Sequence, residues 1–241
     1  CRVGKTNCCT ELSVLGIHSD GGHTPTMAID TKYLHKANGL THEQAALVEP
    51  LAIGAHAADR AEIQPGETVA ILGLGTIGIA AAFFAKMAGA ELVIVDLDEK
   101  RLAFAEHTLK LGKGVLAGEG LAERLQAVFG TKPQRIIDAT GNVHSMQGCF
   151  ELIENGGHIV FVGLFVGDLS FDAPNFHERE ITLAASRAAL SSDFKKVIDA
   201  ISHGDFDPSP MITQRLNFSE LDTELINVGK QPGLIKALIE Y

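Results

Sequence analysis

Long apolar runs are lacking from this sequence of 241 residues. No stretch of about 18 apolar residues occurs, so we expect no membrane-spanning helix. The first residues also lack a basic segment followed by an apolar one, which is the pattern of a secretory signal. We therefore expect neither a membrane protein nor a secreted one, and the predicted location is the cytoplasm.

Basic residues are scarce as well, since 20 Lys and Arg stand against 30 Asp and Glu and give a net charge of -10. A chain this acidic is not expected to bind nucleic acid or an anionic membrane surface. Apolar residues, by contrast, make up 46% of the chain, which is enough for a large core. We expect one large or two small globular domains, in which any anionic ligand is held by local features.

Cysteine is limited to four residues, three of them at the start of the chain: Cys1, Cys8 and Cys9, with Cys149 far downstream. Three thiols this close together, without a secretory signal, suggest metal binding more than disulfides. Tetrahedral zinc needs four ligands, so these cysteines alone are an incomplete site. Because the chain begins on cysteine rather than methionine, we expect it to be processed or cut from something longer.

A glycine-rich turn follows the short apolar run at 68–72. Its glycines fit the pattern G-x-G-x-x-G between a strand and a helix, and they are Gly73, Gly75 and Gly78. The first permits a tight turn, the second lets a pyrophosphate approach the backbone, and the third lets the helix press on the strand. Thr76 and Ile77 begin that helix, whose unpaired N–H groups and dipole favour an anion. Alone the pattern is weak, because glycine-rich turns occur in many loops.

From this turn onward, apolar strands alternate with stretches of helical periodicity. Such alternation favours parallel strands joined by right-handed crossovers. The six predicted strands cover 69–72, 92–95, 114–117, 136–139, 159–162 and 181–184. The helices between them are expected near 77–87, 99–109, 121–129 and 144–153. The predicted fold class is therefore α/β, with a doubly wound six-stranded parallel sheet.

The segment before the sheet follows a different pattern. Short strands joined by loops are predicted at 12–17, 27–29 and 33–34. A capping box, Thr41 with Gln44, then starts a helix. Pro50 is expected to interrupt that helix, and a second helix is predicted over 51–61.

The segment after the sheet also leaves the alternation. One helix is predicted to end at Gly204, and another is predicted to run from Ser219 towards Val228. A strand over 234–239 closes the chain. We expect this tail to pack on the N-terminal segment.

Asp96 ends the second predicted strand, about 20 residues after the glycine turn, where a carboxylate accepts both ribose hydroxyls of an adenosine. The alternative is that it simply caps the next turn. A carboxylate here repels a 2′-phosphate, so NAD is favoured over NADP. Arg101, one helical turn further on, is a candidate to soften that preference or else a solvated surface charge. In this context the glycine turn indicates a dinucleotide site.

Small residues close the fourth and fifth predicted strands. Thr140, Val162 and Gly163 lie at the strand ends that face the ligand crevice of an open α/β sheet, where a nicotinamide would lie. Ordinary strand-to-helix turns are the other interpretation. S-adenosylmethionine-dependent methyltransferases also pair a glycine-rich turn with an acidic residue, but that class predicts neither the upstream cysteines nor these small residues.

The sequence resembles the zinc-containing medium-chain dehydrogenases, whose structural zinc lobe reads C-x2-C-x2-C-x7-C. Cys1 and Cys9 match its third and fourth cysteines. Residues 47–51 resemble the segment that closes the family's catalytic domain, and residues 236–241 resemble its closing strand. Within the family, the bacterial polyol and sugar-acid dehydrogenases are the most similar, through the motifs at 52–57, 162–165 and 176–180.

The resemblance implies a Rossmann domain that binds NAD over residues 51–190. Residues 1–50, with half of the zinc lobe, and residues 191–241 would then belong to a mainly β catalytic domain of the GroES-like type. Glu49 matches an acidic position that ligates the catalytic zinc or holds its water, so it is the predicted catalytic and metal-proximal residue. The family's other catalytic-zinc ligands have no counterpart in this chain.

The activity implied is zinc-dependent hydride transfer between NAD and a secondary alcohol, with a polyol or sugar acid as the small-molecule substrate. A homodimer or homotetramer, paired across the last sheet strand, is implied as well. Because zinc ligands are missing, we expect this chain alone to be inactive. An NAD-binding fragment without turnover and a methyltransferase are the two alternatives.

Overall fold

The computed structural model describes residues 4–37, 39–229 and 231–241. Its main sheet contains β1 (Thr68–Leu72), β2 (Glu91–Asp96), β3 (Lys113–Leu116), β4 (Arg135–Asp138), β5 (His158–Phe161) and β6 (Thr182–Ala185). All six strands are parallel, in the order β3-β2-β1-β4-β5-β6. The order reverses between β1 and β4, as it does in a doubly wound sheet, so the predicted fold class is confirmed.

The helices are α1 (His42–Arg60), α2 (Thr76–Met87), α3 (Glu99–Ala103), α4 (Leu121–Phe129), α5 (Val143–Leu152), α6 (Ala173–Glu178), α7 (Ser191–His203) and α8 (Leu221–Val228). A π-helical turn, Phe104–Thr108, continues α3 to the predicted end of that helix. Helix α6 was not predicted, although Asp172 caps it by accepting from the Asn175 amide. None of the helices in the described ranges is long and apolar enough to cross a membrane.

Two apolar layers enclose the sheet, one on each face. Strand β1 is buried along its whole length, and its side chains alternate between the layers. Val69 and Ile71 join the layer formed with α1, α2 and α7, whereas Ala70 and Leu72 join the layer formed with α4 and α5. This burial on both faces explains why the strands read as continuous apolar runs in the sequence.

Helix α1 runs without a break through Pro50, so the predicted division into two helices is wrong. Proline cannot donate a hydrogen bond to the carbonyl four residues earlier, and that residue, Ala46, is exposed to water. Packing offsets the loss, because Leu47 and Leu51 are fully buried in the core. A Cβ at Gly54 would lie 2.4 Å from the Ala80 Cβ, which shows how closely α1 crosses α2.

The N-terminal segment contains none of the predicted strands within residues 4–37. It has 3-10 turns at Thr6–Cys8 and Thr31–Tyr33 and a single bridge between Leu15 and Ser19. A short strand is stable only when it pairs with a neighbouring strand, and neither sheet in the described residues includes a strand from this segment. The three strand predictions are therefore wrong for the chain as described.

The C-terminal tail forms a second, two-stranded sheet of β7 (Ile212–Asn217) and β8 (Lys236–Glu240), which are parallel and joined through α8. The sequence analysis missed β7, although Ile212 and Leu216 are buried along it. The tail contacts the N-terminal segment at Tyr241. Its hydroxyl donates to the Gly22 carbonyl at 3.3 Å and lies 3.2 Å from Nδ1 of His23.

Candidate cofactor site

Two glycines of the turn after β1 are required by the packing of the protein itself. Gly73 has a φ of +88°, and a Cβ there would lie 2.9 Å from Cγ2 of Thr140. A Cβ at Gly78 would lie 1.7 Å from the Gly73 carbonyl oxygen. The first glycine thus makes the turn, and the last one lets α2 lie against the strand, as predicted.

Gly75 differs from both of these glycines. It precedes the first residue of α2 with φ −73° and ψ −174°, an extended conformation that any residue adopts. A Cβ at this position would meet no atom within 4 Å. The fold therefore gives no reason for glycine at Gly75, and the space that its missing side chain leaves open fits a ligand.

The carboxylate of Asp96, at the end of β2, is held beside this turn by two backbone amides. Its Oδ2 accepts from the Leu74 N–H at 2.6 Å, and its Oδ1 accepts from the Asp98 N–H at 2.9 Å. A carboxylate has about four acceptor positions, so two remain for ribose hydroxyls. The cap of α3 is a different residue, Asp98, which accepts from the amides of Lys100 and Arg101.

A cavity of about 750 Å³ opens at the carboxyl ends of the strands. Five predicted site residues line it: Gly73, Gly75, Asp96, Arg101 and Thr140. The other five predicted cofactor residues are outside its lining: Thr76, Ile77, Gly78, Val162 and Gly163. The cavity also has a wall that the sequence analysis missed, formed by Gly118 and Gly120 after β3 and by Ser145 in α5. A glycine pair directly after a predicted strand was the available signal for the first part of that wall.

Two candidate cofactor residues are tied to the C-terminal tail. The Thr76 hydroxyl donates to the Ile235 carbonyl, and the Arg101 guanidinium donates to the Leu234 carbonyl at 3.3 Å. The Arg101 side chain is 33% exposed and lines the cavity, so it is more than a solvated surface charge. The tail therefore begins its last strand at the rim of the candidate site.

Thr140 belongs to a buried polar cluster around Asp138, which ends β4 and has 0% exposure. The Asp138 carboxylate accepts from the Thr140 hydroxyl at 2.7 Å and from the Ser145 hydroxyl at 2.5 Å. Burial, and after it the charge of Asp138, raises the pKa of the Cys149 thiol well above its usual value. That thiol stays protonated and unreactive. The cluster fixes the loop that forms one side of the cavity.

Val162 and Gly163 follow β5, as predicted, and both of their amides donate to the Asp138 carbonyl. A Cβ at Gly163 would lie 2.1 Å from the Gly141 nitrogen. Close approach of the two backbones therefore explains this glycine without any ligand. Contact of either residue with a nicotinamide stays a prediction.

The predicted metal ligands do not come together in the described part of the chain. Cys1 lies outside the described residues, Cys9 is half-buried, and Glu49 is exposed on α1. Within the ranges 4–37, 39–229 and 231–241, no three His, Cys, Asp or Glu side chains are grouped so that they could hold a metal ion. These residues alone do not fit a zinc site, because zinc takes at least three protein ligands.

Known proteins are similar to this chain in sequence and in fold. A family model described as zinc-binding dehydrogenase matches residues 76–203, from the start of α2 to the end of α7. The chain therefore belongs to the zinc-binding dehydrogenase family, and its resemblance to that family is confirmed. The family match favours a dehydrogenase over the methyltransferase alternative.

Individual relatives extend the match to the whole chain. It is 40% identical over 243 residues to L-galactonate-5-dehydrogenase of Escherichia coli K12, covering 100% of this chain and 72% of that protein. It is 30% identical to 2-dehydro-3-deoxy-L-galactonate 5-dehydrogenase of Pseudoalteromonas atlantica, covering 100% of this chain and 71% of that protein. A short chain alcohol dehydrogenase of Escherichia coli CFT073, solved with NADH, superposes with a TM-score of 0.92 at 24% identity, covering 100% of this chain and 72% of that one.

Proposed function

We propose that this protein binds NAD in the crevice between Gly75 and Asp96 and serves hydride transfer between NAD and a secondary alcohol. The observation that carries the proposal is the open space at Gly75 beside a carboxylate that two backbone amides hold in place. That pairing suits a pyrophosphate at a helix N-terminus and a ribose next to it. The sequence relatives named above support a sugar acid or polyol as the substrate.

The predicted cofactor residues have proposed tasks. Gly73 and Gly78 shape the turn, the start of α2 faces the pyrophosphate, and the Asp96 carboxylate accepts from the ribose hydroxyls. Thr140, Val162 and Gly163 would flank the nicotinamide, while Arg101 closes the ribose side. When bound, NAD would accept hydride from the alcohol carbon. The acidic charge of Asp96 favours NAD over NADP, because a 2′-phosphate would be repelled.

The proposed organisation places the cofactor domain at 51–190, between two parts of a mainly β catalytic domain at 1–50 and 191–241. Cys9 and Glu49 stay predicted zinc ligands of a complete enzyme, and we derive no step through zinc from the residues described. We expect the chain alone to bind NAD without turning over an alcohol. The cytoplasmic location stays a prediction.

Replacing Asp96 by alanine is expected to weaken NAD binding on the order of 100-fold, because two charge-assisted hydrogen bonds to the ribose are lost. Isothermal titration calorimetry with NAD measures the change. Glu99→Ala is the matched control, since it removes one exposed carboxylate from the same region and should leave the affinity as it is. Unchanged NAD affinity in Asp96→Ala would contradict the ribose assignment.

We also propose that the protein forms a homodimer through β6, the last strand of the sheet. No strand among the described residues pairs with its outer edge, and Leu183 on this strand is 37% exposed. An unpaired edge is a template for pairing with a second copy.

Leu183→Lys is expected to convert the dimer to monomer, because a charge on an edge strand opposes pairing between copies. Sedimentation velocity gives the association state. Val128→Lys places the same charge on α4, away from the edge, and should stay dimeric. A wild-type protein that sediments as a monomer would refute the proposed pairing.

A further inference from the structure

The N-terminal segment is attached to the rest of the protein in an unusual way. Of the described residues between 4 and 37, only Asn7 is buried, and it is polar. Apolar residues of this segment, such as Ile17 and Tyr33, are 75% and 67% exposed. Apolar packing therefore does not hold the segment in place, and its buried contact is made by the amide of Asn7.

The Asn7 amide reaches two different parts of the cofactor domain. Its Nδ2 donates to the Arg187 carbonyl at 2.8 Å and lies 3.2 Å from Nε2 of His56. These partners are 180 and 49 residues away along the chain. The carbonyl accepts only, so it fixes which end of the amide carries the hydrogens.

The His56 ring continues the contact on its other side. Its Nδ1 lies 3.0 Å from Oδ2 of Asp193, and the two side chains are 12% and 6% exposed. Because the Asn7 N–H points at Nε2, that nitrogen accepts, and the ring proton sits on Nδ1 towards the carboxylate. The hydrogen bonds of Asn7 therefore select one tautomer of His56.

Asp193 is itself fixed at the first turn of α7. The Leu190 amide donates to its Oδ2 at 2.7 Å, as in a helix cap. Capping alone explains Asp193, but it explains neither the buried ring of His56 nor the buried amide of Asn7. The next residue of α7, Phe194, stacks on the His35 ring at 4.8 Å, so the same turn receives the N-terminal segment at a second point.

We propose that Asn7, His56 and Asp193 form a polar latch that positions the cysteine-bearing segment on the cofactor domain. The Asn7 nitrogen, both ring nitrogens of His56 and Oδ2 of Asp193 all have partners, as buried polar groups require. Cys8 and Cys9 directly follow Asn7, and Glu49 lies two helical turns before His56 on the same face of α1. The latch thereby sets where the cysteines stand relative to Glu49 and to the Arg187 backbone.

Two substitutions of His56 separate the two halves of the latch. An asparagine nitrogen occupies roughly the place of the ring Nδ1, so His56→Asn keeps a donor for Asp193 and loses the partner of Asn7. A glutamine oxygen reaches roughly the place of Nε2, so His56→Gln keeps an acceptor for Asn7 and loses the bond to Asp193. Each variant loses one hydrogen bond, so the pair is matched for general destabilisation.

Hydrogen exchange of the purified full chain, read at the amides of Cys8 and Cys9, tests the proposal. These amides donate to the Lys5 and Thr6 carbonyls within the latched turn. We expect exchange about fivefold to tenfold faster in His56→Asn, near wild type in His56→Gln, and faster still in Asn7→Ala, which loses both bonds. Amides of β1 should not change in any variant.

Equal exchange rates in His56→Asn and His56→Gln would overturn the latch, and so would unprotected amides in the wild type. A two-bond ¹H–¹⁵N spectrum reports the tautomer of His56, which does not depend on the stability of the protein. The latch requires that it show the proton on Nδ1. NAD affinity should be unchanged in His56→Asn, so failure of the proposed cofactor site and failure of the latch are told apart.

Discussion

Replacing Gly75 by valine is expected to abolish NAD binding while the protein keeps its fold. The backbone at Gly75 is extended, and a Cβ there meets no protein atom within 4 Å, so a side chain can leave the backbone at this position without strain. Its side chain fills the space proposed for the pyrophosphate. We expect affinity to fall by about 100-fold or more, and the free energy of unfolding to change by less than about 1 kcal/mol.

Calorimetry with NAD and chemical denaturation of the same preparation measure the two quantities. Gly75→Ala adds a smaller obstacle and should give an intermediate loss of affinity at the same stability. Tight NAD binding by Gly75→Val would show that the pyrophosphate lies elsewhere. Together with Asp96→Ala, this variant examines the two ends of the proposed site independently.

Much of this site could be predicted because its signals are local in the sequence. The alternation of strands and helices fixed a parallel sheet, and the glycine spacing together with Asp96 indicated where a dinucleotide would lie. The structure agrees with the roles that the sequence assigned to these glycines. Gly73 and Gly78 serve the packing of the turn, whereas Gly75 leaves open space.

The errors share a physical origin, since each depends on contacts between distant residues. Pro50 is a helix breaker by local preference, but burial of Leu47 and Leu51 keeps α1 continuous. The predicted strand at 12–17 has an apolar pattern and no neighbouring strand to pair with among the described residues. The latch was missed for the same reason, because Asn7 and Asp193 are linked only through His56, and His56 meets Asp193 only where α1 packs on α7 in the fold.

The contact between α2 and the glycine turn gives the prediction with the largest effect on stability. Gly78→Ala places a Cβ 1.7 Å from the Gly73 carbonyl oxygen, and that atom belongs to the backbone of the turn. Neither the new Cβ nor the carbonyl oxygen can rotate away as the end of a flexible side chain would. Helix α2 therefore has to move away from β1. We expect a loss of about 3 kcal/mol or more in the free energy of unfolding, measured by denaturant titration.

Gly148→Ala is the matched control for that loss, because it makes the same change inside α5. A Cβ at Gly148 meets no atom within 4 Å, and alanine favours a helix over glycine. This variant should gain roughly 0.5 to 1 kcal/mol. If the free energy of unfolding falls in Gly78→Ala and rises in Gly148→Ala, the close contact of α2 with the turn, and not helix propensity, requires glycine at Gly78. A Gly78→Ala protein as stable as the wild type would contradict the close contact between α2 and the turn.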